Sequence, residues 1–494
     1  MRSKCLPPRA VSAAATVETA RPQRHAALRA MLSVARLSGP LTAAAVLAGC
    51  ASAPALVDVP STRASTASID LPLADPSASI ATSVPAQRPA ALPSNSVLAR
   101  DFMELSFALE SGRPIPQFSR FEGPITISLG AGAPPTAAKE LARLVQRLRN
   151  EAGIAIAQGN SAQNHIQIEF VPRSRMTREV PNAACFVVPN ARNWAEYRAT
   201  RRTPAGDWAQ VKQRRLATVF IPAEATPQEV RDCLHEETSQ ALGPLNDLYR
   251  LPDSVWNDDN FHTVLTRYDM MQLRATYAAD LKSGMSAPEV QAKLPTVFAR
   301  LNPQGGPVRG LRDDPTPRSY VSAVNRAIGP GSTAARRAAA MTAIQLAAAQ
   351  GWHDTRAAFG WFALGRLSVR DDPMTALHAF ERAGALYRAT PGAGIQTAHV
   401  DMQLAAFALS SGRAQDALAL SDRALAPALK GENATLTATL YMIRAEAYDA
   451  LGNTAQARRA RLDSAQWARY GFGSAAAAQE RATEVAALAH AGRG

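Results

Sequence analysis

The chain has 494 residues, 47 % of them hydrophobic and 19 % charged, too long for one domain and too apolar for a disordered chain. Four cysteines exclude a disulfide-built scaffold, and no run nears the ~18 apolar residues of a membrane-spanning helix. Of the net charge of +13, residues 1–49 carry +6, and 48 of the 54 basic residues are dispersed arginines, so no nucleic-acid surface is expected.

The first readable segment is an address. Met31-Leu32-Ser33-Val34-Ala35-Arg36 is short and basic, Leu41 to Leu47 is weakly apolar, and Ala48-Gly49-Cys50 supplies small residues before a thiol. Leu47-Ala48-Gly49-Cys50 resembles the lipobox of bacterial lipoproteins. That resemblance implies a diacylglyceryl thioether on Cys50, cleavage just before it and a membrane contact through the lipid. Residues 1–30 do not fit such a signal, so translation is expected to begin at Met31. Ala51 is not the Asp that favours inner-membrane retention, which places the protein at the outer membrane, facing the periplasm. Residues 50–96 follow as a tether: rich in Ala, Ser, Pro and Thr and nearly free of aromatics, they cannot offset the entropy of ordering.

Residues 97–300 alternate strand and helix patterns. Ile125, Ile127 and Leu129 alternate with Thr126 and Ser128 as in a half-buried strand. A helix opening at Pro134-Pro135-Thr136 aligns Leu141, Leu144, Val145 and Leu148 on one face. His165 to Phe170, Cys185 to Val188 and Leu216 to Ile221 read as further strands. Thr226-Pro227-Gln228-Glu229 then starts a helix with a cap, a first-turn proline and a capping-box glutamate, and Gly243-Pro244 stops it.

That helix carries His235-Glu236-Glu237-Thr238-Ser239-Gln240-Ala241-Leu242-Gly243-Pro244-Leu245-Asn246-Asp247. Read from His235 it fails the zincin pattern His-Glu-x-x-His, because position 239 is Ser. Shifted by one it resembles the metzincin motif His-Glu-x-x-His-x-x-Gly-x-x-His-Asp. Glu236, Gln240 and Asn246 then fall on the three zinc histidines, Glu237 on the general base, Gly243 on the turn glycine and Asp247 on the last acid. Ser254-Val255-Trp256-Asn257 resembles the Met-turn with Trp256 for its methionine, and Leu265-Thr266, Asp269 and Thr276-Tyr277 resemble the closing helix. The same combination is similar to a bacterial domain of unknown function of the 2927 type. The fold this implies is an α/β (α+β) metzincin-like domain over 97–300.

Amide oxygens are poor zinc donors, so Glu236 alone of the three remains a plausible ligand, and no zinc or other cofactor is expected. Without a metal Glu237 has no acidic water to deprotonate, and no catalytic residue is expected; Glu237 would be the base if the site were active. His235 lies about 100° around the helix from Glu236 and reads as a cap or core residue. His262 with Asp258 and Asp259 is the alternative metal grouping. In metzincins the strand of Cys185 and the helix of Cys233 pack together, and export to an oxidising compartment leaves these two thiols in the folded body. The resemblance therefore implies a disulfide between them.

Residues 301–330 read as a linker and 331–494 as an all-α helical-repeat domain. Asp371, Gly412 and Gly452 recur at turns, followed by Ala376, Ala417 and Ala457 and then by Ala383, Ala424 and Ser464, with Leu364, Ala405 and Ala445 on the preceding helices. This ladder of small residues resembles tetratricopeptide repeats, which implies a protein-binding surface. Trp467 to Phe472 reads as core packing or a cap on the stack. The expected function is binding or scaffolding by an envelope lipoprotein with an inactive metalloprotease-like domain. The alternatives are a zinc peptidase with an unorthodox ligand set and a peptidoglycan or glycan binder.

Overall fold

A computed structural model describes residues 91–161, 163–181, 183–310 and 314–491. Met31, Cys50 and most of the tether lie outside these residues. Helix α1 (Asn95–Phe107) begins where the tether was expected to end, with the Ser94 side chain accepting from the Val97 amide.

A five-stranded sheet follows, with strands β1 (Ile125–Leu129), β2 (Ile156–Gln158), β3 (His165–Val171), β4 (Phe186–Pro189) and β5 (Leu216–Pro222) in the order β2-β1-β3-β5-β4. All neighbours are parallel except β4, which runs antiparallel to β5 at the edge. Four of the strands match the sequence reading. The three-residue β2 was not foreseen, being too short to show a period.

One face of the sheet buries Ile127, Ile166, Ile168, Val219 and Ile221 under α2 (Ala137–Ala152) and α5 (Pro227–Leu242). The other face is covered near β4 by α3 (Arg173–Glu179) and α4 (Trp194–Thr200), where Phe186, Trp194, Tyr197 and Phe220 pack ring on ring. Covered on both sides, β5 can be apolar throughout. Its one polar side chain, Thr218, donates to the Ala191 carbonyl. Cys185, just before β4, is bonded to Cys233 on α5 with Cα atoms 6.0 Å apart. Closing a loop of this 48-residue separation stabilises a fold by typically ~2–4 kcal/mol. Helices α6 (Arg267–Thr276) and α7 (Ala287–Leu301) complete the first region, and Phe298 of α7 meets Phe102 of α1.

The expected linker of 301–330 carries a helix, α8 (Arg318–Ile328). Tyr320, Ala323, Val324 and Ala327 are all buried along its inner side, so it belongs to the helical body. The body continues as α9 (Thr333–Ala349), α10 (Thr355–Ser368), α11 (Pro373–Ala389), α12 (Gly394–Ser410), α13 (Ala414–Lys430), α14 (Ala434–Ala450), α15 (Thr454–Phe472) and α16 (Ala475–Ala491). Adjacent helices pair as repeats: α10 with α11, α12 with α13 and α14 with α15. The small residues sit where helices touch, with Ala376, Ala383, Ala417, Ala424 and Ala457 wholly buried. Gly412 and Gly452 occupy the left-handed region at two of the turns, with φ of 78° or less, which is where glycine is favoured.

The helical body holds the sheet domain directly. Gln228 on α5 accepts from the Thr435 amide at 2.9 Å, and Arg231 donates to the Glu432 carbonyl at 2.6 Å. Tyr470 donates to Glu140 of α2 at 2.7 Å. Tyr249 and Phe261, from the loop after α5, belong to the hydrophobic core of the helices.

Candidate functional site

Both ends of α5 are fixed by side chains. At its start the capping box closes, with the Glu229 amide donating to Thr226 at 3.2 Å and the Thr226 amide to Glu229 at 2.8 Å. At its end the guanidinium of Arg214 donates to the carbonyls of Gln240, Ala241 and Gly243 at 2.6, 2.8 and 2.6 Å. A cation here completes the orphaned acceptors and complements the helix dipole. Arg214 also lies over the Trp208 ring, and burial lowers its pKa to about 10, so it stays charged at ordinary pH. Gly243 is extended, and its glycine is required by crowding: a Cβ would sit 2.9 Å from Thr276 Cγ2.

Between these ends lie the motif residues. Glu237 and Gln240 are buried, while Glu236, Asn246 and Asp247 are half-buried. Gln240 turns its amide nitrogen onto both carboxylate oxygens of Asp247 at 3.3 Å. Asn246 points elsewhere and donates to the Glu104 carbonyl of α1 at 3.1 Å. Burial, reinforced by the carboxylates of Glu110, Glu236, Asp258 and Glu237, pushes the Asp247 carboxyl well above its ordinary value. The motif thus brings together an acidic cluster and one amide, and sends the other amide to α1.

His235 is a core residue. Its Nδ1 accepts from the Leu265 amide at 3.0 Å, and burial, with Arg147, Arg231 and Arg143 nearby, holds its pKa well below normal. Trp256 is wholly buried beneath α5 and donates to Ser239 Oγ at 2.9 Å. Its turn is pinned by Asp269, which accepts from Ser254 Oγ at 2.6 Å and from the amides of Val255 and Thr266. Burial still lifts the Asp269 carboxyl to about 6 against those bonds.

The alternative grouping of Asp258, Asp259 and His262 is divided among other partners. Asp259 accepts from the Phe261 amide at 3.2 Å and from Gln396 of α12 at 3.2 Å, whereas His262 faces Asp253 at 3.7 Å. Among the described residues no three His, Cys, Asp or Glu side chains are grouped to hold a metal ion.

Residues 95–296 match the model of a family described as Protein of unknown function (DUF2927). No curated protein and no solved structure matches the chain. The matched stretch stops within α7, so the helical body from α8 onward lies outside it. Inside it, three structural devices had no local sequence signal: the Arg214 cap, the Asp101–Arg250 ion pair that ties α1 to the loop after α5, and the insertion of Phe261 among the helices.

The Asp259 contact predicts a pH dependence. Burial raises its carboxyl from 3.8 to about 7, against the pull of His262, Gln396 and the Phe261 amide. A raised folded pKa favours the fold at low pH, and the advantage fades as pH climbs from about 4 through about 7. His262 is pulled down by burial, but the carboxylates of Asp253, Asp259 and Asp269 outweigh this and hold it above normal, an effect of the same sign. His235 and His399 are depressed and act oppositely below their ordinary 6.5, so only a comparison between proteins isolates Asp259. Relative to wild type, Asp259→Asn should gain on the order of a few kcal/mol of stability between pH 5 and pH 8. Urea unfolding at both pH values checks it, and a difference that does not change with pH refutes it.

Proposed function

We propose that this is an envelope lipoprotein, anchored through Cys50 in the outer membrane facing the periplasm, whose metzincin-like domain no longer catalyses and serves with the helical repeats in binding or scaffolding. The carrying observation is what the three ligand-position residues do. Gln240 is spent on Asp247 and Asn246 on the Glu104 backbone, leaving Glu236 as one carboxylate among four others. These residues do not fit zinc. Two neutral amides and a carboxylate are hard oxygen donors where the metal favours imidazole or thiolate, and no hydrolytic step is derived from them. The metzincin likeness draws support from the spacing from Glu236 to Asp247, from the glycine packed against Thr276 and from Trp256 seated under the helix at the Met-turn position.

Protein purified without chelators should hold no stoichiometric zinc and leave unfolded casein intact. One zinc per chain, together with casein cleavage that Glu237→Gln abolishes, would make the chain a peptidase and overturn the reading. For the anchor, Cys50→Ser should move the protein from the membrane fraction to the soluble periplasm. If the variant still sediments with membranes, Cys50 is not the anchor.

A further inference from the structure

Arginines are scattered through this chain, but its excess of charge is not. Residues 173–215 hold ten Lys and Arg against three Asp and Glu, and the rest of the chain beyond residue 49 has equal numbers of each sign. The net charge of everything after residue 49 therefore falls in one segment. It is the layer of α3, α4 and the loop 201–215, beside β4.

Local packing makes this segment one surface. Met176, Trp194 and Tyr197 turn inward onto Val171, Val188 and Phe220, so the polar sides of α3 and α4 face out. Glu179 at the end of α3 bonds Arg201 at 2.6 Å and Arg198 at 3.2 Å, which joins the two helices. The Asn190 side chain donates to the Ala205 carbonyl at 3.0 Å and its backbone amide to the Leu216 carbonyl at 3.0 Å. These bonds draw the loop and the start of β5 to the same edge.

Arg175, Arg178, Arg192, Arg202, Lys212 and Arg215 are all exposed, and among the described residues no carboxylate pairs with their side chains. The three acids of the segment are engaged elsewhere. Glu179 holds its two arginines, Glu196 accepts from the Arg192 backbone amide at 2.8 Å, and Asp207 accepts from Arg113 at 2.8 Å. Like charges gathered without counter-charges repel one another, so an anionic partner relieves the layer.

The shape of the layer selects among anions. Phe186, Trp194 and Tyr197 pack on one another and Trp208 lies against Arg214, so no open ring is offered for single-stranded bases to stack on. Helices α3 and α4 have seven residues each, about 10 Å, too short to read along a major groove. A small anion needs donors converging on one point, whereas these six cations are spread over two helices and a loop. An extended surface of negative charge meets them together, and an acyl chain on Cys50 would hold the protein at one.

We infer that this basic layer docks the protein on a bilayer containing anionic phospholipid, with the cations of α3, α4 and the loop 201–215 against phosphate headgroups. Attraction of this kind grows with each cation near the surface and is screened by salt. The choice of a bilayer among polyanions rests on the anchor reading, whereas the attraction itself does not need the anchor.

Co-sedimentation of the full chain carrying Cys50→Ser tests it, with vesicles of phosphatidylglycerol and phosphatidylcholine in equal parts beside vesicles of phosphatidylcholine alone. The anionic vesicles should bind roughly tenfold more tightly or better, and about 0.5 M salt should abolish the difference. The fourfold variant Arg175→Gln, Arg178→Gln, Arg192→Gln and Arg202→Gln should lose roughly tenfold or more of that affinity. A matched variant, Arg274→Gln, Lys293→Gln, Arg458→Gln and Arg459→Gln, removes the same charge from other exposed positions and should bind as the parent does. All of these proteins carry the same residues 1–49, whose charge cancels in the comparison. Lys at the four positions of the layer keeps the charge and should keep the binding, which separates lost attraction from lost folding. Equal binding to both vesicles, binding indifferent to salt, equal losses in the two Gln variants, or loss in the Lys variant would each overturn the inference. Tighter binding of a single-stranded oligonucleotide than of anionic vesicles would make the layer a nucleic-acid surface and overturn it too. A high-salt wash of the membranes strips this attraction, so the Cys50→Ser fractionation done after it reports on the anchor alone.

Discussion

Phe261→Ala is expected to lower the unfolding free energy by about 3–5 kcal/mol, the range for truncating a large buried ring. Phe261 leaves the sheet domain as the tip of the loop after α5 and is 4 % exposed. Its ring centroid lies 4.7 Å from His399, 4.9 Å from Phe362, 6.1 Å from Phe359 and 6.3 Å from Tyr387, all on α10, α11 and α12. Removing the ring empties a space that three helices frame, and neighbours held by their own helices collapse only partly. The backbone beside it is also engaged, through the Phe261 amide on Asp259 and Thr263 Oγ1 on the Gly431 carbonyl at 2.7 Å. Phe261→Leu, which keeps most of the apolar volume, should recover much of the loss. Urea unfolding followed by tryptophan fluorescence measures both. A cost below about 1 kcal/mol for the alanine variant would mean that the ring is not an anchor.

Arg214→Met should cost a similar ~3–5 kcal/mol, for an electrostatic reason. Methionine replaces much of the stem's volume, so the loss isolates the head group. Three carbonyls at the end of α5 lose their donors together, and a buried acceptor left unmet costs ~1–3 kcal/mol. Arg214→Lys should restore part of the stability, because one ammonium cannot span three carbonyls as the planar fork does. Amide hydrogen exchange should quicken first over residues 238–242, next to the uncapped carbonyls. Methionine stability within about 0.5 kcal/mol of wild type would show that water can take over the cap.

The sheet domain was legible where local chemistry dictated it. Strands β1, β3 and β5 announce themselves by alternation or by continuous β-branched and apolar runs, and α5 by its cap, proline and glycine. The small-residue ladder of the repeats was readable because alanine and glycine at fixed spacing are what close helix pairs require. What escaped depends on partners far along the chain. Helix α8 hid in a proline-rich stretch, although Tyr320, Ala323, Val324 and Ala327 carry a helical spacing that a closer reading finds. The metzincin resemblance sets Gln240 and Asn246 at ligand positions, but their partners, Asp247 and the α1 backbone, could not be inferred from spacing alone. Tyr249 and Phe261 look like ordinary core residues of the domain that contains them. Nothing within that domain reveals that their neighbours are about 100 residues away.

The way Phe261 and Tyr249 are buried changes what a cut in this chain would produce. A break between α7 and α8 would leave a sheet-bearing piece with two aromatic rings uncovered and a helical piece with a hole where they had been. Such pieces are candidates for fragment complementation rather than for life apart, since each presents the shape the other lacks. The same holds for any chain that carries the 95–296 stretch without these helices. It must end that loop differently, cover the rings with another subunit, or pay in solubility for leaving them bare.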